Sequence, residues 1–363
     1  MKVGVLQFFS WPGRRNPIEE VYARALERIE IMDRTGYDAV WLAEHHFNSF
    51  SVCPSVTMMG SQVAARTSRL RIGTAGTLAG LHHPLHLAEQ LAFLDVMSNG
   101  RLNWGAARGF DSTEFAAFGV EGHESAARFR ENVLAVLAAW GSDRASFHGE
   151  HVSFHDVELL PKPVQRPRPP TWMAVSSPEA IRWSAAQGFP ILMDPHSSHA
   201  EIARKRAIWA ADMVAAGHDP IGYDIPMARL LAIAPTDAEA EAVARRGAGW
   251  MIGSYVGTAP TTGGPSTIDD GTDGDGQPPE NAPIDVRPDV DPVDRYVDDV
   301  IVWGTPERVT EELQRLASEL PLRYLMAAPL SNESFRLLTD EVLPVLLASP
   351  SPAPPAPAPS LPV

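Results

Sequence analysis

Glu44, His45 and His46 stand consecutively, followed by Phe47, and a second pair, His82-His83, lies just before Pro84 with His86 behind it. Imidazoles titrate near neutrality, so such a group can move protons, and together with a carboxylate it can also ligate zinc or iron. Two adjacent side chains on an extended segment point to opposite faces, so at most one of His45 and His46 faces a common pocket directly. The competing reading of each histidine is structural, as a packed and hydrogen-bonded side chain. Metal-dependent hydrolases built on barrels carry an HxH pattern on the first strand; the corresponding apolar run here ends in Phe8-Phe9, so no metal is assigned. Arg108, followed by Gly109, suits a phosphate or another oxyanion because the guanidinium fork matches its oxygens; the alternative is an ion pair with Asp111 or Glu114. Ser176-Ser177-Pro178 reads as a helix start that offers hydroxyls and unpaired N–H groups to an anion, or else serves as a plain N-cap.

These residues need elements to hold them. Lys2 to Phe9 reads as a first strand, Tyr37 to Leu42 as a second, Leu70 to Thr77 as a third and Arg101 to Ala107 as a fourth. Pro169 to Val175, Phe189 to Met193, Met227 to Ala234 and Leu322 to Ala327 complete eight. Helical segments alternate with them: 16–35, 54–67, 84–97, 124–140, 179–187, 200–216, one from Asp237, 306–319 and 332–347. Ser146 to Leu159 breaks the rhythm with two short strand-like pieces. Near-continuously apolar strands alternating with helices imply a parallel sheet covered on both faces, and eight is the closing number of a (β/α)8 TIM barrel. An open doubly wound sheet is the alternative, but no GxGxxG follows the first strand. In a barrel the strands' C-terminal ends form one mouth, and the candidate residues all follow strands.

The 363 residues carry 45 acidic and 30 basic side chains, a formal charge of −15, which disfavours nucleic acid and anionic membrane surfaces as partners. A single cysteine, Cys53, excludes a disulfide framework and any two-thiolate zinc site. No apolar run is long enough to span a bilayer, and the N-terminus lacks a signal-peptide cleavage pattern, so a cytoplasmic protein is expected. Residues 1–347 are read as one barrel. Within it, 257–292 holds eight acidic residues against one arginine, with six Gly and seven Pro, and is expected to be a mobile acidic loop able to fold over the mouth. The stretch 348–363 is expected to be a disordered Pro/Ala-rich tail.

Several motifs then converge. GYDAVWLAEHHF at 36–47, RIGTAGTLAGLHHPLHLAEQLAFLDVMSNGRLNWGAARG at 71–109, AVSS at 174–177 and WGTPERV at 303–309 appear in this order. With them the chain resembles the bacterial luciferase-like flavin monooxygenases, particularly the alpha-subunit pattern, from residue 1 to about 347. The resemblance implies a barrel, in agreement with the reading above. It also implies reduced FMN from a separate flavin reductase, and O2 activated as a flavin C4a-hydroperoxide that oxygenates a small organic substrate. By position, the isoalloxazine would lie against Ala75-Gly76, often a cis peptide in the family, and near Ala107, where luciferase has a reactive cysteine. The phosphate would be held by Arg108, Ser176 and Ser177, with Ser176 replacing a glutamate of the family. His45 would be catalytic, with Glu44, His46 and His83 around it. Helices 54–67 and 84–97, with Met58, Met59, Ala64, Leu87, Leu91 and Leu94, would form a homodimer contact. The departures at Ala107 and Ser176 weaken any case for light emission. Arginine outnumbers lysine 27 to 3, a bias of GC-rich bacterial genomes that points to secondary metabolism. Two other functions fit the same pattern: an F420-dependent dehydrogenase of the superfamily, and a non-catalytic flavin-binding protein.

Overall fold

A computed structural model describes residues 1–256, 290–320 and 322–348. The expected acidic loop and Pro/Ala tail therefore lie almost wholly outside the described residues. The strands are β1 (Lys2–Gln7), β2 (Ala39–Leu42), β3 (Arg71–Thr74), β4 (Thr77–Leu78), β5 (Leu102–Ala107), β6 (Ala145–His148), β7 (Ser153–Val157), β8 (Thr171–Ala174), β9 (Ile191–Leu192), β10 (Pro226–Ile233), β11 (Val302–Gly304) and β12 (Tyr324–Pro329). Parallel pairing runs β10-β12-β1-β2-β3-β5-β8-β9. The ring closes where the Met193 N–H donates to the Pro226 carbonyl at 3.0 Å and the Ala228 N–H to the Met193 carbonyl at 3.0 Å. Eight strands thus form a TIM-barrel-like α/β fold, as the alternation predicts. β6 and β7 form a separate antiparallel hairpin.

Helix ends follow residue type. Gly36, at φ 98°, ends helix Ile18–Thr35 in the left-handed region that favours glycine. Ser55, Ser177, Ser198, Thr236 and Thr305 each accept a backbone N–H at a helix start. One apolar cluster fills the layer between strands and helices, with Val40, Leu42, Ile72, Leu102, Trp104 and Leu231 among its members. A second fills the barrel with Leu6, Trp41, Trp172, Leu192, Leu230 and Met326. Trp41 blocks the barrel's interior: its Nε1 donates to Tyr324 Oη at 3.0 Å and its ring meets Trp172 edge-on at 5.4 Å. It fits because Gly73 faces it, where a Cβ would come within 2.3 Å of the indole. A ligand can therefore enter only from the ends, and the strands' C-terminal end carries the candidates.

Several expectations need correction. The third strand does not run unbroken to Thr77; a cis peptide between Ala75 and Gly76 separates β3 from β4, and β4 pairs on with β5. Helix Ser112–Ala117 was not anticipated. Nor were helix Pro292–Asp299, which starts inside the segment read as acidic loop, and β11, which pairs with the end of β10 outside the ring. The final helix includes Ala348, the first residue assigned to the tail. Leu87, Leu91 and Leu94 do not face outward but lie in the core, because helix Val56–Arg66 packs closely at Gly60, where a Cβ would meet Leu94 at 2.7 Å.

Candidate active site

β2 is buried on both faces, with Ala39, Trp41 and Ala43 in the interior cluster and Val40 and Leu42 in the outer one. Extending that alternation sends His45 toward the mouth and Glu44 and His46 away from it. The side chains follow it. His45 lies edge-on to Phe50 at 5.3 Å and to Phe110 at 6.1 Å. Its Nδ1 is 3.8 Å from Glu114 Oε1, which also accepts the His46 backbone N–H at 2.8 Å. Glu114 is buried, and its Oε2 has no hydrogen-bond partner among the described residues.

His46 turns the other way. Its Nε2 reaches Glu44 Oε1 at 3.1 Å, while His82 Nε2 reaches the same oxygen at 2.7 Å and the Leu78 N–H donates to Oε2 at 3.2 Å. Burial alone would raise the Glu44 carboxyl, but the two imidazole hydrogen bonds and the charge of His82 hold it below its ordinary value. Burial correspondingly pulls His82 down, and Glu44 outweighs this to raise it. Of the second histidine pair, His82 joins Glu44, whereas His83 is exposed at the start of helix Pro84–Met97 and makes no side-chain cap there. Among the described residues no set of three or more His, Cys, Asp or Glu side chains is arranged to hold a metal ion.

The next sector is built from small residues. Ala75 N–H donates to the Leu42 carbonyl at 2.7 Å, and Thr74 Oγ1 donates to the Gly105 carbonyl at 2.7 Å, pinning the cis turn between β2 and β5. A Cβ on Gly76 would lie 2.9 Å from the Ala107 Cβ, so only glycine allows this approach. Arg108 follows β5; its Nη1 donates to Ser125 Oγ at 3.2 Å, and neither Asp111 nor Glu114 pairs with it. Burial lowers the Arg108 pKa, with Glu179 opposing. Asp111 instead caps helix Ser112–Ala117. On the adjacent β8 side, Ser177 caps helix Pro178–Ala186 by accepting the Ala180 N–H at 3.3 Å, while Ser176 is exposed. Arg108, Ser176 and Ser177 thus stand at the ends of paired strands β5 and β8.

A further cluster after β9 escaped the sequence reading. Asp194 accepts four donors: the His196 and Ser197 backbone N–H groups at 3.0 and 2.8 Å, Ser197 Oγ at 3.0 Å and Lys205 Nζ at 2.9 Å. Burial opposes its ionisation, but Lys205, His196 and these bonds hold the carboxyl far below the usual range. His196 Nδ1 lies 3.2 Å from Tyr296 Oη. Burial drives the His196 imidazole down to about 4 and the Tyr296 phenol up to about 12, so both are neutral near pH 7. The signal was available: DPHSS follows a buried strand just as EHHF does.

The sequence profile of the luciferase-like monooxygenases matches residues 1–322. The oxygenase component of a flavin-dependent trigonelline monooxygenase from Acinetobacter baylyi is 32% identical over 179 residues, 49% of each chain. The alkanal monooxygenase alpha chain of Aliivibrio fischeri is 28% identical over 223 residues, 61% of this chain and 63% of that one. The chain spans about half the length of the first of these relatives. Among solved structures, the FMN complex of the oxygenating constituent of 3,6-diketocamphane monooxygenase from Pseudomonas putida superposes with a TM-score of 0.74 at 18% identity, covering 95% of this chain and 98% of that one. An F420-dependent secondary alcohol dehydrogenase bound to an F420-acetone adduct gives 0.71 at 18%, with the same coverage. These two likenesses concern the fold alone. With the profile matching most of its length, the chain belongs to the luciferase-like monooxygenase family.

Proposed function

We propose that this chain is the oxygenase of a two-component system, taking reduced FMN from a separate reductase and using O2 to oxygenate a small organic molecule. The observation that carries the reading is the sector of β3, β4, β5 and β8. It combines the close approach of Gly76 to Ala107 on β5, the guanidinium of Arg108 and a capped helix start at Ser177. These residues fit a flat ring system ending in a phosphate: Ala75, Gly76 and Ala107 would hold the ring, and Arg108, Ser176, Ser177 and the N–H groups of helix Pro178–Ala186 the phosphate. When bound, reduced FMN supplies the electrons that activate O2. The chain supplies the rest. Phe8, Phe50 and Phe110 give the mouth an apolar side beside His45. His45, with Nδ1 3.8 Å from Glu114 Oε1, would give a proton to the reacting molecule or take one from it.

The test is cofactor choice. Reduced FMN should bind much more tightly than reduced riboflavin, and Arg108→Ala should weaken FMN by about 2 kcal/mol, measured by anaerobic titration. Equal affinity for the two flavins would remove the phosphate assignment. Oxygen uptake with reduced FMN, against reduction of F420 by an alcohol, separates the oxygenase from the dehydrogenase reading. We also propose a homodimer through the helix pair Val56–Arg66 and Pro84–Met97, where Met58 (73% exposed), Phe93 and Met97 leave apolar surface uncovered. Light scattering at micromolar concentration should give the dimer mass, and Met58→Glu with Phe93→Glu the monomer mass.

A further inference from the structure

A second guanidinium and an acid stand beside the corner proposed for the phosphate. β5 and β8 pair in register up to Ala107 opposite Ala174; Arg108 directly follows the one, and Ser176 stands two residues past the other. Arg108 Nη1 donates at 3.2 Å to Oγ of Ser125, the first residue of helix Ser125–Gly141. Five residues along that helix, Arg130 Nη2 donates to Glu179 Oε1 at 2.5 Å. Glu179 lies in the first turn of helix Pro178–Ala186, two residues past the Ser177 cap. Arg108 and Arg130 thus both engage the opening turns of these two packed helices, and one carboxylate stands with them at the helix start read as the phosphate seat.

The ion pair is lopsided. The Glu179 side chain is 69% exposed and that of Arg130 only 29%. The Arg130 guanidinium lies 5.7 Å from the centre of the Trp183 ring, which Phe129 meets edge-on at 5.9 Å. An indole face therefore holds Arg130 in place without help from the carboxylate. A pair this exposed adds little to stability. Its effect on an arriving anion is larger: Glu179 takes up a donor of Arg130 and repels a phosphate seated at the same helix start. The nearby Arg128 and Glu124 neutralise each other at 3.0 Å. Arg108 feels both members of the pair: burial is the main cause that lowers its pKa, Glu179 opposes this and Arg130 adds to it.

We propose that Glu179 is a built-in competitor of the flavin phosphate for Arg130, and that Arg130 is the second guanidinium of the phosphate site. The proposal rests on reading this corner as the phosphate seat. A competitor lowers affinity, which suits a cofactor that must arrive from a separate reductase and leave again. Anaerobic titration of the full chain with reduced FMN and with reduced riboflavin tests it. Glu179→Gln should tighten FMN roughly three- to tenfold, because a like charge a few ångströms from the phosphate is gone, and leave riboflavin unchanged. Arg130→Gln should weaken FMN about tenfold, again with riboflavin unchanged. In the double variant the gain from Glu179→Gln should shrink, because the contested donor is absent. If Glu179 serves only the helix start, Glu179→Gln binds FMN no tighter than the native chain, and that result overturns the proposal. Equal tightening of both flavins, or native FMN affinity in Arg130→Gln, overturns it as well. A native chain that prefers FMN to riboflavin, with no gain in Glu179→Gln, keeps the phosphate reading and loses the competitor; a native chain that binds the two flavins alike loses both.

Discussion

Two regions flank His45, and they are built on opposite principles. Behind β2, both carboxylate oxygens of buried Glu44 are engaged: two imidazoles on Oε1 and a backbone N–H on Oε2. At the ends of β5 and β8, Arg108 has one hydrogen bond to a serine and Ser176 stands in solvent. A saturated cluster holds a loop in place, since removing one member strands the others without partners. A corner whose Arg108 has one side-chain hydrogen bond has little of the fold depending on it, as the proposed phosphate site requires. The difference separates a histidine that fixes geometry from the residues proposed to bind, although both kinds follow barrel strands.

The sharpest way to break this contrast is to remove the carboxylate at its centre. Glu44→Ala leaves His46, His82 and the Leu78 N–H without their acceptor, and should cost roughly 3–5 kcal/mol in urea unfolding. Arg108→Ala should change stability by less than about 0.5 kcal/mol. The cost of Glu44→Ala should also depend on pH. The Glu44 carboxyl is held below its ordinary value of 4.5, so its contribution is present above that value and is lost as pH falls through the lower folded one. His82 is raised above 6.5, so its contribution is full below 6.5 and is lost as pH rises through the folded value. The stability gap between native and variant should therefore be widest from about 4.5 to 6.5 and narrow above it. An unfolding gap that is the same near pH 6 and near pH 9 would show that His82 is not charged in this cluster.

His45 sits between the two regions and should follow neither. His45→Ala should keep flavin affinity and lower product formation on the order of 10²-fold, with peroxide released instead. Glu114→Gln should act in the same direction but less strongly, since Glu114 acts only through His45 and the His46 backbone. Stopped-flow flavin spectra with product quantification measure both, and a fully active His45→Ala would move the proton role to His196.

Much of this arrangement was legible in the chain. The eight ring strands are near-continuous apolar runs of Val, Leu, Ile, Ala and Trp, and the caps at Gly36 and Ser177 are residue types with a single local use. What escaped had physical reasons. β11, only Val302–Gly304, is too short to show a period, and helix Pro292–Asp299 opens in acidic, proline-bearing sequence that resembles the loop before it. His82 and His83 cannot be told apart by spacing, because a sharp turn before Pro84 decides which imidazole swings back to Glu44. Glu114 was weighed only as a partner for Arg108, since nothing in the spacing shows helix Ser112–Ala117 aiming it at β2. The cluster around Asp194 depends on Lys205 and Tyr296, and Tyr296 lies 100 residues beyond His196, a separation that no local pattern can bridge.

The smallest effect divides the binding corner itself. Ser176 and Ser177 are adjacent and chemically identical, yet Ser177 Oγ already accepts the Ala180 N–H at 3.3 Å whereas Ser176 is exposed just outside the helix. Ser177→Ala removes an N-cap and should cost about 1 kcal/mol of stability. Ser176→Ala removes nothing the fold uses and should leave the melting temperature unchanged. If the corner holds phosphate, Ser176→Ala should weaken FMN by roughly 0.5–1.5 kcal/mol, the net value of one hydrogen bond, with riboflavin unaffected. Ser177→Ala should weaken FMN no more than Ser176→Ala does, because its oxygen is already engaged by the helix. Thermal melts paired with the two flavin titrations read all four quantities. A stability loss in Ser176→Ala, or equal flavin losses for FMN and riboflavin, would mean that this corner belongs with the saturated cluster and not with the ligand.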